Sequence, residues 1–440
     1  MAKRHSNKSG DLESLFLRLE ELVLANSGEN EFEVVFKLVV AKLWDERCGK
    51  ESRFTAYSDH TTTYRNITTL LQEAERAWNG VLEGDITPGL TPEHLQICVE
   101  VLTFHRLSGT SFQVFDAFFE FLVSRGAKGV KGQFFTPRHV IELCVRMLGP
   151  KPTDSILDPA CGSGGFLVHA FNHVRTEYQL SGKALQDYAS MKLWGFDMDS
   201  RAIRVARALM VLAGDGRTNI VRLNSLLKPE TGGLFAAGLQ RSGFEDSGST
   251  LTIEDLTRSR LRNHKGFDII LTNPPFAGEV RERQVMDEYD LSVGRQRIER
   301  DILFVERCVE LLRPGGRMAI VLPHNKFAVD SATYVRTWLL RKTHILAVVG
   351  LGRNTFLPHT HQKASVLFLQ KRIAGGAVDL NQEVFFAISE RDGKNSKGQP
   401  LLRRGAENQD SPWFRLDHDF EEILEGFKVY REARQTQEGD

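Results

Sequence analysis

A doubly wound α/β domain behind a separate helical domain is the fold that three features of the sequence predict. The apolar run Ser155-Ile156-Leu157 stops at Asp158-Pro159 and enters a turn holding Gly162, Gly164 and Gly165. Phe166, Leu167, Ala170, Phe171 and Val174 then recur at helical spacing, so the turn joins a strand to a helix. A second apolar run, Phe267 to Thr272, ends in the rigid turn Asn273-Pro274-Pro275-Phe276. The first 130 residues carry helical periodicity instead, which suits a bundle and not a catalytic α/β layer.

Composition narrows the class. With 440 residues, two or three units are expected. Lys plus Arg and Asp plus Glu both number 57, so formal net charge is zero. A protein gripping nucleic acid alone usually shows a basic excess. Either the basic residues gather on one face or a partner contributes. The five cysteines are scattered without metal-ligand spacing, which argues for a reducing compartment and against a zinc site. Residues 1–10 are polar and basic with no apolar segment behind them, and no run reaches membrane-spanning length. A soluble cytoplasmic protein is expected, with no metal and no membrane.

The two turns carry the chemistry. Glycine permits a tight turn and close approach of backbone to ligand. The helix start behind it offers unpaired N–H groups and a positive dipole end. At Asn273-Pro274-Pro275-Phe276 the prolines remove backbone donors, leaving the Pro274 carbonyl beside the Asn273 side-chain oxygen. Two convergent acceptors suit an amino group, and Phe276 offers a flat face for a planar base.

In this order the two turns resemble the amino-group DNA methyltransferases, above all the modification subunit of type I restriction-modification systems. The resemblance covers residues 131–370 well. It implies a class I S-adenosylmethionine-dependent methyltransferase sheet and transfer of a methyl group to N6 of a flipped-out adenine. Asn273, Pro274, Pro275 and Phe276 would be catalytic. It also implies partners: double-stranded DNA, a specificity subunit, an endonuclease subunit and a second copy of the chain. Methylation of RNA or of protein glutamine, and a cofactor-binding architectural subunit with little catalysis, are the rival readings.

Taken in order, residues 1–10 form a flexible start and 11–130 the helical domain. Leu12, Leu15, Phe16, Leu19, Leu22 and Val23 mark one helix; Phe32, Val35, Phe36, Val39, Val40 and Leu43 mark the next. Further helices are expected at 67–78, 92–107 and 112–123. Gly126 to Gly132 is a basic hinge, and the methyltransferase domain would run from 131 to 372. Gln133-Phe134-Phe135-Thr136-Pro137 resembles the family segment that covers the methionine end of the cofactor. Thr136 is also placed to cap the following helix. From the glycine turn, Asp158, Ala160, Gly162, Ser163 and Gly164 are expected to contact the cofactor, and Asn273 is expected to contact it as well as to act in catalysis.

The strand 192–197 ends in Asp197, positioned for ribose hydroxyls. A dinucleotide oxidoreductase shares that logic, but the pattern here is G-x-G-G and the spacing to the acid is longer than the roughly 20 residues such folds use. Asp199 is expected to cap the helix from Arg201 to Leu212. Asn224 and Ser225, at the exit of the third strand, complete the adenine side of the pocket with Asp301; the family usually has Asp where Asn224 stands. Residues 232–263 read as a surface insertion. Residues 278–300 read as a charged loop in which Arg295 and Arg297 are placed to meet DNA phosphates. The last two strands are expected at 344–351 and 364–370, with Phe356 between them as a second face for the extruded base. Residues 373–440 would form a C-terminal extension whose amphipathic helix, 420–430, could dock a partner.

Overall fold

The computed structural model describes residues 9–24, 27–48, 51–78, 80–108, 114–116, 118–119, 121–122, 135–213, 219–228, 253–254, 266–373, 382–406 and 412–438. The hinge at 126–132, Gln133, Phe134 and all of 232–263 except Ile253 and Glu254 lie outside the described residues. The chain divides into two compact units, one of residues 1–130 with 204–217, the other of 131–203 with 218–440.

The first unit is helical, with no strand among its described residues. Its helices include Ser9–Leu19, Glu31–Arg47, His60–Ala77 and Pro92–Thr103. Each of the last three starts on a polar side chain that accepts a backbone N–H: Asn30 from Glu33, Asp59 from Thr61 and Thr62, Thr91 from His94. Helix Glu31–Arg47 is buried on nearly every side. Lys37 and Lys42 are tolerated there because each meets an acid, Asp85 at 2.5 Å and Glu46 at 3.1 Å. Residues 204–213 of helix Ser200–Ala213 join this unit; Arg204 lies 2.6 Å from Glu33 and donates to the Val81 carbonyl. Leu22, expected inside with its neighbours, is about half exposed.

The second unit is built on one eight-stranded sheet. Its strands are β1 Ile156–Asp158, β2 Leu193–Asp197, β3 Asn219–Arg222, β4 Phe267–Thr272, β7 Leu312–Pro323, β8 Thr343–Gly350, β9 Ala364–Lys371 and β10 Phe385–Ile388, the two-residue strands β5 Glu279–Val280 and β6 Ile298–Glu299 pairing separately. The order across the sheet is β3-β2-β1-β4-β7-β9-β8-β10. Strands β1 to β4 and β7 are parallel, and β9 runs against both β7 and β8. β1 lies between β2 and β4, so the chain order reverses there. Ligands of open α/β sheets bind in the crevice at such a reversal, outside the carboxyl ends of the strands.

The buried faces explain these strands. β1 and β4 carry Ile156, Leu157, Ile269 and Ile270 with no exposure, as parallel strands covered on both faces require. Trp194 on β2 packs near Phe196 and Phe267, with ring centroids 6.4 and 6.3 Å away. At Gly195 a Cβ would crowd Ile220, Leu167 and Cys161, so glycine there lets β2 fit between its neighbours. Cys161 is buried and beside Gly195, a packing position.

The segment after residue 372, expected as a separate extension, is instead part of the second unit. β10 pairs with β8, from Phe385 beside Ala347 to Ile388 beside Gly350. Lys394 donates to the carbonyls of Thr355 and Leu357 at 2.9 and 2.7 Å, and Asp392 accepts from the Asn354 N–H at 2.8 Å. Helix Phe420–Glu438 buries Phe420 and Phe427, and its Glu421 meets Arg146 at 2.8 Å. This helix, expected as a possible docking element, buries Phe420, Ile423, Leu424 and Phe427, while Val429 stays exposed. Among the described residues no helix is long and apolar enough to cross a membrane.

Candidate active site

The parallel strands β1 to β4 bring the carboxyl-end residues Asp158, Asp197, Asn224 and Asn273 to one edge of the sheet. In the turn after β1, Gly162 and Gly164 have φ of 51° and 84°, values that disfavour any side chain, and Gly164 sits at the N-terminus of helix Gly165–Glu177. Asp197 clamps this turn. One of its oxygens accepts the Gly162 N–H at 2.9 Å and the other accepts the Asp199 N–H at 3.0 Å. Asp199 in turn accepts from Arg201 and Ala202, the cap expected of it.

Asp158 is buried and accepts the Ala160 N–H at 3.1 Å. Burial pushes its carboxyl up to about 7, the nearby Asp197 adds to this, and Thr272 and the Ala160 N–H work the other way. Burial raises Asp197 also. Between the ordinary carboxylate value of 3.8 and about 7, the unfolded chain is ionised at Asp158 while the folded chain keeps the proton. The folded state then binds more protons, so this group's contribution to stability falls as pH rises through that window. Melting temperatures measured from pH 4 to 8 should therefore fall less steeply for Asp158→Asn than for the unmodified protein. Identical slopes would show that Asp158 ionises in the folded state as it does in water.

Asn273 opens the turn after β4. Its side-chain N–H donates to the Thr136 hydroxyl at 3.0 Å, while its buried Oδ1 has no hydrogen-bond partner among the described residues. Thr136 therefore does not cap the following helix, as its place before proline suggested; helix Arg138–Leu148 starts at Pro137 with no side-chain cap. Phe135 is half-buried one residue before it. Phe276 meets Phe356 edge-on, with centroids 6.0 Å apart and planes at 65°. The two rings are in contact, but Phe356 is 2 % exposed and only Phe276, half-buried, presents a ring surface.

On the β3 side, the Asn224 oxygen closes a local turn by accepting the Leu226 N–H at 3.1 Å. Ser225 donates to the Pro159 carbonyl at 2.6 Å, tying the β3 exit to the glycine turn. Arg307, which sequence reasoning did not single out, is 2 % exposed and donates to the carbonyls of Ser225 and Leu227 and to Glu254. An arginine set among Leu303, Phe304 and Leu311 on one helix face was the available signal. Asp301 is 1 % exposed, and neither of its oxygens accepts a hydrogen bond among the described residues. Burial lifts it to about 6 despite the opposing charge of Lys326.

The arginine segment is more structured than a solvated loop. Arg281 and Arg297 both pair with Glu279, and Arg295 lies 3.6 Å from the centre of the Tyr334 ring. Tyr289 is buried, its hydroxyl on the Leu226 carbonyl at 2.7 Å. Among the described residues no group of three or more His, Cys, Asp or Glu could hold a metal ion.

The strand order, the glycine turn after the first strand and the acid after the second define a class I S-adenosylmethionine-dependent methyltransferase fold. Within that class the model of the N-6 DNA methylases matches residues 111–423, and the chain belongs to that family. It is 28% identical over 260 residues to the EcoEI methylase subunit of a type I restriction enzyme from Escherichia coli, covering 58% of this chain and 46% of that one. It is 27% identical over 280 residues to the EcoKI methylase subunit from Escherichia coli K12, covering 62% and 47%. The chain thus spans about half the length of the curated relatives it matches. The crystal structure of a type I restriction-modification methyltransferase subunit from Streptococcus thermophilus shares the fold, with a TM-score of 0.60 and 17% identity over 96% of this chain and 94% of that one.

Proposed function

We propose that the second unit transfers a methyl group from S-adenosylmethionine to N6 of an adenine flipped out of DNA, as the modification subunit of a type I-like system. The observation that carries this reading is Asn273, whose donor side is occupied by Thr136 and whose acceptor oxygen is buried without a partner. A buried acceptor left unpaired costs about 1–3 kcal/mol, which a bound amino group would relieve. Phe276, three residues further on and in edge contact with Phe356, would offer a stacking face, recovering part of the few kcal/mol that base extrusion costs.

Two features of the cofactor residues support this reading. Gly162 leaves open space where a side chain would stand, and Asp301 holds two carboxylate oxygens without hydrogen bonds. S-adenosylmethionine, when bound, supplies an electrophilic methyl on a sulfonium. Asp158, Ala160, Gly162, Ser163 and Gly164 would line one side of the pocket, with Asp197, Asn224, Ser225 and Asp301 on the other. Asn273 would orient the amino nitrogen, so positioning supplies most of the acceleration. Arg295 and Arg297 would reach DNA only by exchanging Tyr334 and Glu279 for phosphate.

A specificity subunit would supply base reading, in keeping with the zero net charge. Transfer of labelled methyl to duplex DNA, with and without the adjacent gene's product, tests the assignment. Label in N6-methyladenine only with that product supports a modification subunit. Cofactor binding without label on DNA in either case would refute it. On the same reading, Thr136→Val should lower kcat about 10- to 100-fold by releasing Asn273. Thr136→Ser, which keeps the hydroxyl, should restore most of it; equal rates for Val and Thr would deny the hydroxyl this role.

A further inference from the structure

Lys326, Glu299 and Asp301 form an ionic chain that the proposed activity alone does not call for. Lys326 sits on the short helix Asn325–Ala328 that follows β7, and only 7% of it is exposed. Its ammonium contacts Glu299, at the end of β6, and lies 3.4 Å from Oδ2 of Asp301 in the first turn of helix Arg300–Leu311. The Lys326–Asp301 pairing is long for a hydrogen bond, and neither Asp301 oxygen has a well-formed hydrogen-bond partner among the described residues, although Lys326 and the Ile302 N–H both favour its charged form. Burying a lysine is unfavourable unless its charge is matched. Here it is matched twice, and the two acids are two residues apart.

Resting on the cofactor reading above, we propose that Lys326 is a positioning residue: its ammonium holds one oxygen of Asp301 and leaves the other open to accept a hydrogen from the exocyclic amino group of the cofactor's adenine. The acceptor must be a carboxylate for this. A neutral acid would present a hydroxyl donor to an amino donor on one side. The charged or titratable groups facing Asp301 are Lys326 from the short helix, Glu299 before its own helix, and Tyr334 from helix Thr333–Lys342 with Arg295 against its ring. Of these, Lys326 is the cation that favours the ionised form of Asp301 most directly, while Glu299 opposes it.

The test is binding of S-adenosylmethionine and S-adenosylhomocysteine by titration calorimetry from pH 5.5 to 8.5, on the full chain. Lys326→Met should bind ~10- to 100-fold more weakly near pH 7, the size of one charge-assisted hydrogen bond, and the deficit should shrink toward pH 8.5 as Asp301 ionises without help. Lys326→Arg should recover most of the affinity. Asp301→Asn should bind weakly at every pH, and adding Lys326→Met to it should weaken binding no further. A Lys326→Met protein that binds like the unmodified one, or whose deficit is the same at all pH values, overturns the role of Lys326 while leaving the cofactor reading intact. If the unmodified protein binds neither molecule, the cofactor reading itself fails and this role falls with it. Should Lys326→Met misfold, the Arg and Asn variants decide: pH-independent equality of Asp301→Asn with the unmodified protein overturns the proposal.

Discussion

Asn273→Ala is expected to lower the rate of methyl transfer by about 10²–10³-fold, the effect of removing one preorganised hydrogen-bonding group from a reacting centre. The substitution deletes both functions of the side chain. The Nδ2 anchor on Thr136 goes, and so does the buried oxygen that has no other partner. Neither group supports the sheet, because β4 ends at Thr272. The variant should therefore fold. Its loss should appear in kcat, since the Asn273 oxygen acts on the reacting amino group. Asn273→Asp retains an acceptor but loses the donor to Thr136, and should fall between the two. Single-turnover transfer to saturating DNA is the measurement. An Asn273→Ala protein with near-normal turnover would remove this residue from the chemistry and leave it a turn residue.

The largest effect on stability is expected at Trp194. Removing a buried aromatic of this size costs about 3–5 kcal/mol, from lost transfer energy and the cavity left behind. Trp194 is 1% exposed, its ring lies near Phe196 and Phe267, and its indole N–H donates to the Met191 carbonyl at 3.2 Å. Trp194→Ala therefore loses packing against a ring of its own strand and one of β4, and one hydrogen bond. A fall in melting temperature of roughly 10 °C should follow for the second unit. Because Asp197 ends the same strand, cofactor affinity should weaken in parallel. A loss below about 1 kcal/mol in denaturant unfolding would mean that the surrounding side chains collapse into the space.

What the sequence revealed of this molecule was what depends on local pattern. The apolar runs of β1, β2 and β4, the positive-φ glycines and the Asp199 cap each involve a few consecutive residues, and their physics is legible in order. Thr136 shows where that ends. A threonine before proline satisfies the rule for a helix cap, yet its hydroxyl accepts from Asn273, 137 residues further on. Local chemistry allowed both, and only the folding of β4 beside that segment decides between them. Lys326 and Arg307 escaped notice for a similar reason. Buried cations are unusual, and the acids or carbonyls that make them tolerable come from other elements. β10 escaped because its pattern is four residues long and its partner lies thirty-odd residues upstream. Tyr289 sits among charges in the sequence, which disguised a segment that packs inward as a loop.

The bonds from Lys394 to Thr355 and Leu357, and from Asp392 to Asn354, have a practical corollary. They make the tail a buttress for the loop that carries Phe356. Anyone trimming the chain to a minimal catalytic core would be tempted to stop after β9, where the last strand beside β7 ends. Such a truncation would keep every cofactor residue and still leave that loop without its supports. The shortened protein should remain a competent cofactor receptor that handles its target base poorly.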